Sequence, residues 1–511
     1  MSSVSDNRRI VKNTIFLYSQ TLFTLIIALY TSRVILDALG VEDYGIYNVV
    51  GGISMSFIFL SSTLSNATHR YLNFAIGENN TQKVGQIFNQ NLIIYFIYAL
   101  VSILLVELVG GWLVNNELTI PSERIEAANW VLHSTSITLF ITIITSVYES
   151  VLISRENMKV YAYIGIYDAF TKLLIAISLN YVTFDKLKIY SLLVVLAIIS
   201  SKIFLISYTS SKYSETRLKF YWNKDLFKEM FKFSGWTLVG ALTFLLNDQG
   251  INILLNMFFG PVVNAARGVS VQVKSAITSF SAGSITAMRP QIVKTYAANE
   301  LEGYKSLIFN CGKYSFFLLW MICVPVLFRI DSLLDLWLKE VPMMVDDFVL
   351  WLLIFSLINT LCDAFWQGVQ AVGKIKKYII IGNMIYVLAF PISWLAFKLG
   401  ASPIIAYQVI AIIRLIYLIV VFNIFRQYVY ISVNEYFNKV IFPIFKTVLL
   451  STIIATFINM LIPQGHIMYT FIACAILLLV TIVSILLVGI GQQERMAILD
   501  RLNTWCAKII S

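Results

Sequence analysis

Six basic side chains interrupt stretches of sequence that are otherwise almost wholly apolar: Arg33, Lys172, Lys202, Arg267, Lys274 and Arg414. A cation at the centre of a membrane helix costs roughly 2.5 to 3.5 kcal/mol on insertion scales, so it needs a reason to be there. Guanidinium and ammonium groups are suited to phosphate and carboxylate. Arg267, Lys274 and Arg414 have no acidic residue within a helical turn. They predict either a site for an anionic substrate or cross-helix pairs with Asp248 and Asp363. Those two carboxyls are equally suited to titrate as coupling groups for a proton or sodium gradient. Arg33 is followed by Asp37, and Lys172 is preceded by Asp168, each four residues away. The second pair fits a structural ion pair as well as a substrate contact. Lys202, near a helix end, is expected to snorkel to the interface.

The uncharged polar residues in these stretches fall on stripes. Arg267, Ser270, Lys274, Thr278 and Ser281 are spaced three or four apart and share one helix face. Asp248, Asn252 and Asn256 do the same one segment earlier. The first two segments carry Asn13, Gln20, Thr24 and Thr31, then Ser54, Ser61, Ser65 and Thr68. Polar groups in lipid should face a cavity or another helix, and these stripes suggest a central hydrophilic cleft. For any single Ser or Thr, close helix packing is the competing explanation.

The elements that must position these side chains are membrane helices. The chain has 511 residues, of which 58% are hydrophobic and only 13% charged, about half the charge of a soluble domain. Roughly fourteen segments are long and apolar enough to span a bilayer. Twelve are expected near 12–36, 44–68, 86–113, 125–153, 160–183, 187–210, 230–258, 261–288, 304–328, 347–371, 375–398 and 402–425. Two more lie near 440–462 and 466–490. Most of the 38 Lys and Arg fall in alternate loops, which puts both termini in the cytoplasm. The net charge of +10 is then the expected excess of cytoplasmic loops rather than a nucleic-acid footprint. The longest inside loop, Lys212 to Lys232, interleaves Phe220, Tyr221, Trp222, Phe227 and Phe231 with lysines and predicts an interfacial amphipathic helix.

The first six segments return in the next six at an offset of 217 to 220 residues. Leu39-Gly40-Val41 leading to Tyr44-Gly45 aligns with Phe259-Gly260-Pro261 leading to Asn264-Ala265. YESVLISRENMKVYAYIG from Tyr148 aligns with FWQGVQAVGKIKKYIIIG from Phe365. An even number of helices per copy implies a pseudo-twofold along the membrane normal. The expected architecture is an all-α polytopic membrane protein. It has an N-terminal six-helix lobe (1–211), an amphipathic linker (212–232), a second six-helix lobe (233–426), two additional helices (427–490) and a cytoplasmic tail (491–511).

Several motifs fail. The five cysteines (Cys311, Cys323, Cys362, Cys474, Cys506) form no CxxC pair, and His69, His133 and His466 have no metal-ligand spacing, so no metal is expected. Gly368 to Lys374 nearly spells a phosphate-binding loop, but Ile375 stands where Ser or Thr must hold magnesium. The segment from Ser2 reads as the approach to a retained first helix rather than a cleaved leader, because the apolar run outlasts a signal peptide's. Asn66-Ala67-Thr68 fits a glycosylation sequon only at an inside helix end and is discarded.

The opening NTIFLYSQTLFTLIIALYTSRVILDALGVEDYGIYNVVGGI, above all the LG-x-x-x-YG step from Leu39 to Gly45, resembles the polysaccharide-transporter family of bacterial O-antigen and capsule flippases. That family shares a superfamily with multidrug/toxin extruders and the peptidoglycan lipid flippase. The resemblance spans essentially the whole chain. It implies a flippase moving an undecaprenyl-pyrophosphate-linked oligosaccharide from the cytoplasmic to the periplasmic leaflet of the inner membrane. Two lobes would rock about a basic cavity, with the polyprenyl tail passing between helices 1 and 8. Cavity arginines on those helices correspond to Arg33 and Arg267. It implies no enzyme activity and no cofactor, and as partners the lipid-linked sugar, membrane lipids and other polysaccharide-assembly proteins. The rivals are an ion-coupled multidrug antiporter of the same fold, which would want an acidic cavity, and a membrane-embedded glycan polymerase, which would want larger outside loops.

Overall fold

In a computed structural model, the backbone is described for residues 2–78, 80–373, 375–463, 465–492 and 494–496. Side chains are not described at 2–19, 22, 59–60, 62–63, 66, 229–241, 244, 280, 282–284, 286–287, 290 and 375. The side chains of Asn13 and Phe231, together with Lys374, Cys506 and most of the expected tail, therefore lie outside what is described.

Among the described residues the protein is helical with no strand. The helices are α1 (Ser2–Gly77), α2 (Thr81–Leu105), α3 (Ile125–Ser154), α4 (Met158–Ser178), α5 (Lys186–Lys212), α6 (Lys224–Phe259), α7 (Pro261–Ala297) and α8 (Leu301–Phe328). There follow α9 (Ile330–Trp337), α10 (Val345–Val372), α11 (Ile375–Val387), α12 (Ala389–Lys398), α13 (Ile405–Phe425), α14 (Val433–Tyr436), α15 (Phe442–Leu461) and α16 (Ile467–Ser484). Eleven stretches of described residues are long and apolar enough to cross a membrane. The protein is a multi-pass membrane protein. One of these stretches, Phe23–Ile58, runs through the break in α1 that separates the first two expected spans. The seventh and eighth fall on α6 and α7, of 36 and 37 residues.

The duplication is visible in the backbone. Gly40 breaks α1 at φ 79°, ψ 168°, and Gly260 separates α6 from α7 at φ 80°, ψ −178°. These are equivalent positions, and only glycine reaches such angles freely. The ends of α3 and α10 match too: Glu156 (φ 54°) and Gly373 (φ 79°) are the left-handed residues that close each helix. Sequence predicts one span over 375–398. That span is present as Lys376–Lys398, with a turn at Leu388 because Pro391 cannot donate the hydrogen bond that Val387 would accept.

The chain forms two compact units. One comprises the residues up to Val269 together with Phe390–Pro403; the other comprises Ser270–Ala389 and the residues from Ile404 onward. In the first, Ile46, Val49, Val50 and Ile53 on α1 and Leu132, Leu139, Ile143 and Val147 on α3 recur at helical spacing and fill one core with Phe88 and Tyr95 of α2. In the second, Phe365, Phe422, Phe425 and Tyr436 form an aromatic knot joining α10, α13 and α14. Trp320 Nε1 donates to Ser451 Oγ at 2.9 Å, and the fully buried Arg329 donates to the carbonyls of Ile462 and Pro463. These bonds fix α15 and the connection leading to α16 against α8 and its end.

The linker expected as an amphipathic helix over 212–232 is helical from Lys224, where α6 begins, but not before it. Between α5 and α6 there is a short 3-10 turn (Ser214–Thr216) and then non-helical chain up to Asn223, not an amphipathic helix. Asn89 and Gln90 of α2 cause the difference by presenting their amides as if they were peptide groups. Asn89 donates to the Arg217 carbonyl (3.2 Å) and accepts from Lys219 N–H (2.7 Å). Gln90 donates to the Asn223 carbonyl (2.9 Å) and accepts from its N–H (2.8 Å). Arg155 pairs with the buried Glu215 at the start of the segment. Backbone groups satisfied from outside have no need of a helix.

Candidate functional site

In the first unit the membrane-embedded charges centre on α6 and α7. Arg267, 7% exposed, donates from Nη2 to the Asp248 carbonyl (2.8 Å) and to Asp248 Oδ1 (2.9 Å). Sequence offers Asp248 as one of two cross-helix candidates, and here it is the partner. The two are set by the corner at Gly260, which folds α7 back along α6. The carboxylate is more open than the guanidinium, with side-chain exposures of 37% and 9%.

Beside this pair lies an amide network. Asn264 Nδ2 donates to both the carbonyl and Oδ1 of Asn252 (2.8 Å each), and Asn256 Nδ2 donates to Asn264 Oδ1 (2.9 Å). Asn256 Oδ1 accepts from Thr119 N–H at 2.8 Å, and Asn252 reaches the Asn48 carbonyl at 3.3 Å. All three asparagines are buried. Asn252 and Asn256, predicted to face a cavity, thus have their polar groups satisfied inside the packing. Close backbone approach holds the same region together. A Cβ at Gly45 would lie 1.9 Å from the Pro261 carbonyl oxygen, and one at Gly268 would lie 2.8 Å from Asn48.

The remaining predicted residues of this unit are dispersed. Arg33 is half-buried and Asp37 exposed. Thr24 donates back to the Thr21 carbonyl of its own helix. Lys172 is exposed, and among the described residues it forms no ion pair with Asp168. Lys202 does not snorkel. It is 9% exposed and pairs with Glu149 of α3, which offers a nearer charge than the interface does. Sequence reading missed Glu149 because the partners are 53 residues apart. It also missed Arg124, which holds Asp43 bidentately (2.8 and 2.6 Å) and Asp185 (2.7 and 3.2 Å) at the opposite end of the bundle.

In the second unit Arg414 of α13 is enclosed by aromatic faces. Its guanidinium carbon lies 4.4 Å from the Tyr417 ring centre, 5.6 Å from Tyr386 and 5.7 Å from Phe355. It donates to Asn359 Oδ1, and Asn359 Nδ2 donates to Asp363 Oδ2 at 2.7 Å. One amide therefore bridges cation and carboxylate across α10 and α13. The Arg414 Nε–H is buried without a hydrogen-bond acceptor. Asn359 was not singled out from sequence, although its place one turn before Asp363 on the same face is a usable signal. Lys274 sits over the Phe355 ring at 5.1 Å, and Ser270 donates to the Val345 carbonyl at 3.2 Å. The unit thus gathers Lys274 and Arg414 around Phe355, with Asp363 joined to Arg414 through Asn359. Aromatic faces stabilise cations there without neutralising them.

No family model matches the chain, and no curated protein sequence does. Solved structures do. The lipid II flippase MurJ in an inward closed conformation matches with TM-score 0.71 and 14% identity, covering 92% of this chain and 98% of that one. An inward-facing multidrug resistance MATE transporter of the MOP superfamily matches with TM-score 0.64 and 13% identity, covering 80% and 94%. A MOP superfamily transporter from Pyrococcus furiosus, described as having a reversed polarity of its binding pocket, matches with TM-score 0.61 and 12% identity, covering 82% and 95%. At these identities the likeness shows a shared fold. The fold is shared with these solved transporter structures, and 80% of this chain suffices to cover nearly all of the MATE structure.

Proposed function

We propose that this protein is a flippase that carries an undecaprenyl-pyrophosphate-linked oligosaccharide, an O-antigen or capsule repeat unit, from the cytoplasmic to the periplasmic leaflet of a bacterial inner membrane. Both termini lie in the cytoplasm, no covalent chemistry is done, and no cofactor is held. The observation that carries this reading is a fold matched almost end to end by a lipid flippase, with cations kept inside the membrane where a pyrophosphate must be held.

Arg267 and Asp248 give the reading a mechanism. A pyrophosphate competes for the guanidinium with more charge than one carboxylate offers, and it accepts bidentately. Displaced, Asp248 is free to take up a proton or a sodium ion, which ties cargo binding to an ion gradient. Alternating access then needs the loaded state to open to the other face more readily than the empty one does. Arg33 lies in the same unit as Arg267, and Lys274 and Arg414 form a second basic cluster in the other unit.

The test is reconstitution. Purified protein in liposomes is given a lipid-pyrophosphate oligosaccharide, and exposure of the sugar to an external lectin is followed. Wild type accelerates exposure, and Arg267→Ala abolishes it at equal protein incorporation. Equal exposure with and without protein overturns the reading. A multidrug or cation antiporter is the second reading, favoured by the MATE likeness. The basic interior argues against it, and drug-driven ion flux in the same liposomes would select it.

A further inference from the structure

The second unit contains a cavity of about 550 Å³ that the flippase reading does not use. It lies where the spans Leu301–Phe328 and Val433–Leu461 begin and Ile467–Gly489 ends, hence at one face of the membrane. Its wall carries three lysines, Lys305, Lys313 and Lys439, and three glutamates, Glu302, Glu435 and Glu494. Lys305 and Lys313 are 9% and 7% exposed, an unusual burial for lysine.

Each ammonium has three N–H donors. Lys305 gives one to Glu302 at 2.7 Å, and Lys313 gives one to Glu494 at 3.3 Å. Both side chains line the cavity. The backbone here is also irregular. Phe437–Ile441 and Ile485–Gly489 are π-helical turns, and both contribute to the wall. Such turns are frequent at functional sites.

The charge pattern selects the ligand class. With three cations and three anions, the site has no net field for a free anion. A group carrying phosphate and a primary ammonium finds partners for both. The depth matches a head group at the edge of the hydrocarbon, with acyl chains lying along the helices. We propose that this cavity binds the head group of an amino-phospholipid of the phosphatidylethanolamine type. The phosphate lies on Lys305 and Lys313, and the amine on Glu302 and Glu435. Choline cannot donate hydrogen bonds to these carboxylates, and glycerol brings no cation, so both should bind less well.

The experiment is native mass spectrometry of the full chain in detergent, titrated separately with phosphatidylethanolamine, phosphatidylcholine and phosphatidylglycerol. One phosphatidylethanolamine is expected to bind at least tenfold more tightly than either of the others. Lys305→Gln with Lys313→Gln should lose that preference. Because buried lysines also hold the helices, Ser306→Trp provides a second route. Ser306 is exposed on the cavity wall, so the indole fills the space while every charge stays, and it should abolish the same adduct. An adduct that persists in both variants overturns the proposal, as does equal binding of the three lipids. Displacement of the lipid by millimolar inorganic phosphate would also overturn it, in favour of a site for the free ion. Lipid counting is independent of transport, so the outcome stands apart from the flippase assay.

Discussion

Gly45→Ala should be among the most damaging single-methyl changes in the first unit, and the structure sets the scale. The added Cβ would lie 1.9 Å from the Pro261 carbonyl oxygen and 2.6 Å from its carbon. Reaching even a 3.0 Å contact requires about 1.1 Å of separation. The obstacle is backbone at the first residue of α7, so relief means moving a helix rather than turning a side chain. Overpacking of this kind costs about 1 to 3 kcal/mol, and immovable backbone puts the cost at the upper end. Gly51, less than two turns further along α1, is the control. Its added methyl would meet only Thr135 Cγ2 at 3.9 Å, and Gly to Ala inside a helix gains about 0.5 to 1 kcal/mol. That gain is common to both sites in α1, so the two variants should differ by the overpacking cost, about 3 kcal/mol. Gly268→Ala should fall between them, because its 2.8 Å neighbour is the Asn48 side chain, which can rotate if it gives up its bond to the Tyr44 carbonyl. Thermal unfolding of the three purified variants, followed by size-exclusion fluorescence, reads the order. If Gly45→Ala melts with Gly51→Ala, the close approach of α1 to α7 is wrong.

Other outcomes follow from the same contacts. Asn264→Ala removes three hydrogen bonds and leaves Asn252 and Asn256 groups buried without partners, at about 1 to 3 kcal/mol for each stranded group. Its melting temperature should fall further than that of Thr24→Ala, whose hydroxyl bonds only within its own helix. Asp185, between α4 and α5, is raised by burial, but hydrogen bonds from Arg124 and the N–H groups of Lys188 and Leu187 outweigh this and hold its carboxyl below the ordinary value. Its stabilising contribution is therefore complete above about pH 4 and lost as pH falls through the lowered value. Asp185→Asn should flatten the acid limb of stability against pH. Asn89→Ala with Gln90→Ala should release residues 217–223, and limited proteolysis should cut there at least tenfold faster than in wild type.

The helical segments and the duplication were legible because both are written locally. Apolar length marks a span, and a glycine at the same step of each copy marks the same break, so Gly40 and Gly260 share one backbone conformation. The long-range partners were not legible. Nothing near residues 217–223 tells that two amides more than 125 residues earlier in the chain will hold the segment out of a helix. Helical spacing places Asn252 and Asn256 on a face but does not say what covers it, and Asn264 and Thr119 do. Asp248 was found as a candidate for Arg267 because the charged residues in the apolar segments are few. Glu149 was not, since its segment gives no reason to look toward Lys202.

The contact between Asn48 and Gly268 has a consequence for ancestry. With an offset of 220 residues these are the same position in the two copies, and here that position meets itself. In a dimer of identical halves one residue type would have to serve both sides of such a crossing. Two large residues would collide there, and two glycines would leave a hole. Where the two halves are encoded separately, each side can differ, and here the pair is one side chain and one glycine. The asymmetry at this crossing is thus a mark of divergence between the copies: it requires that the two positions be encoded separately.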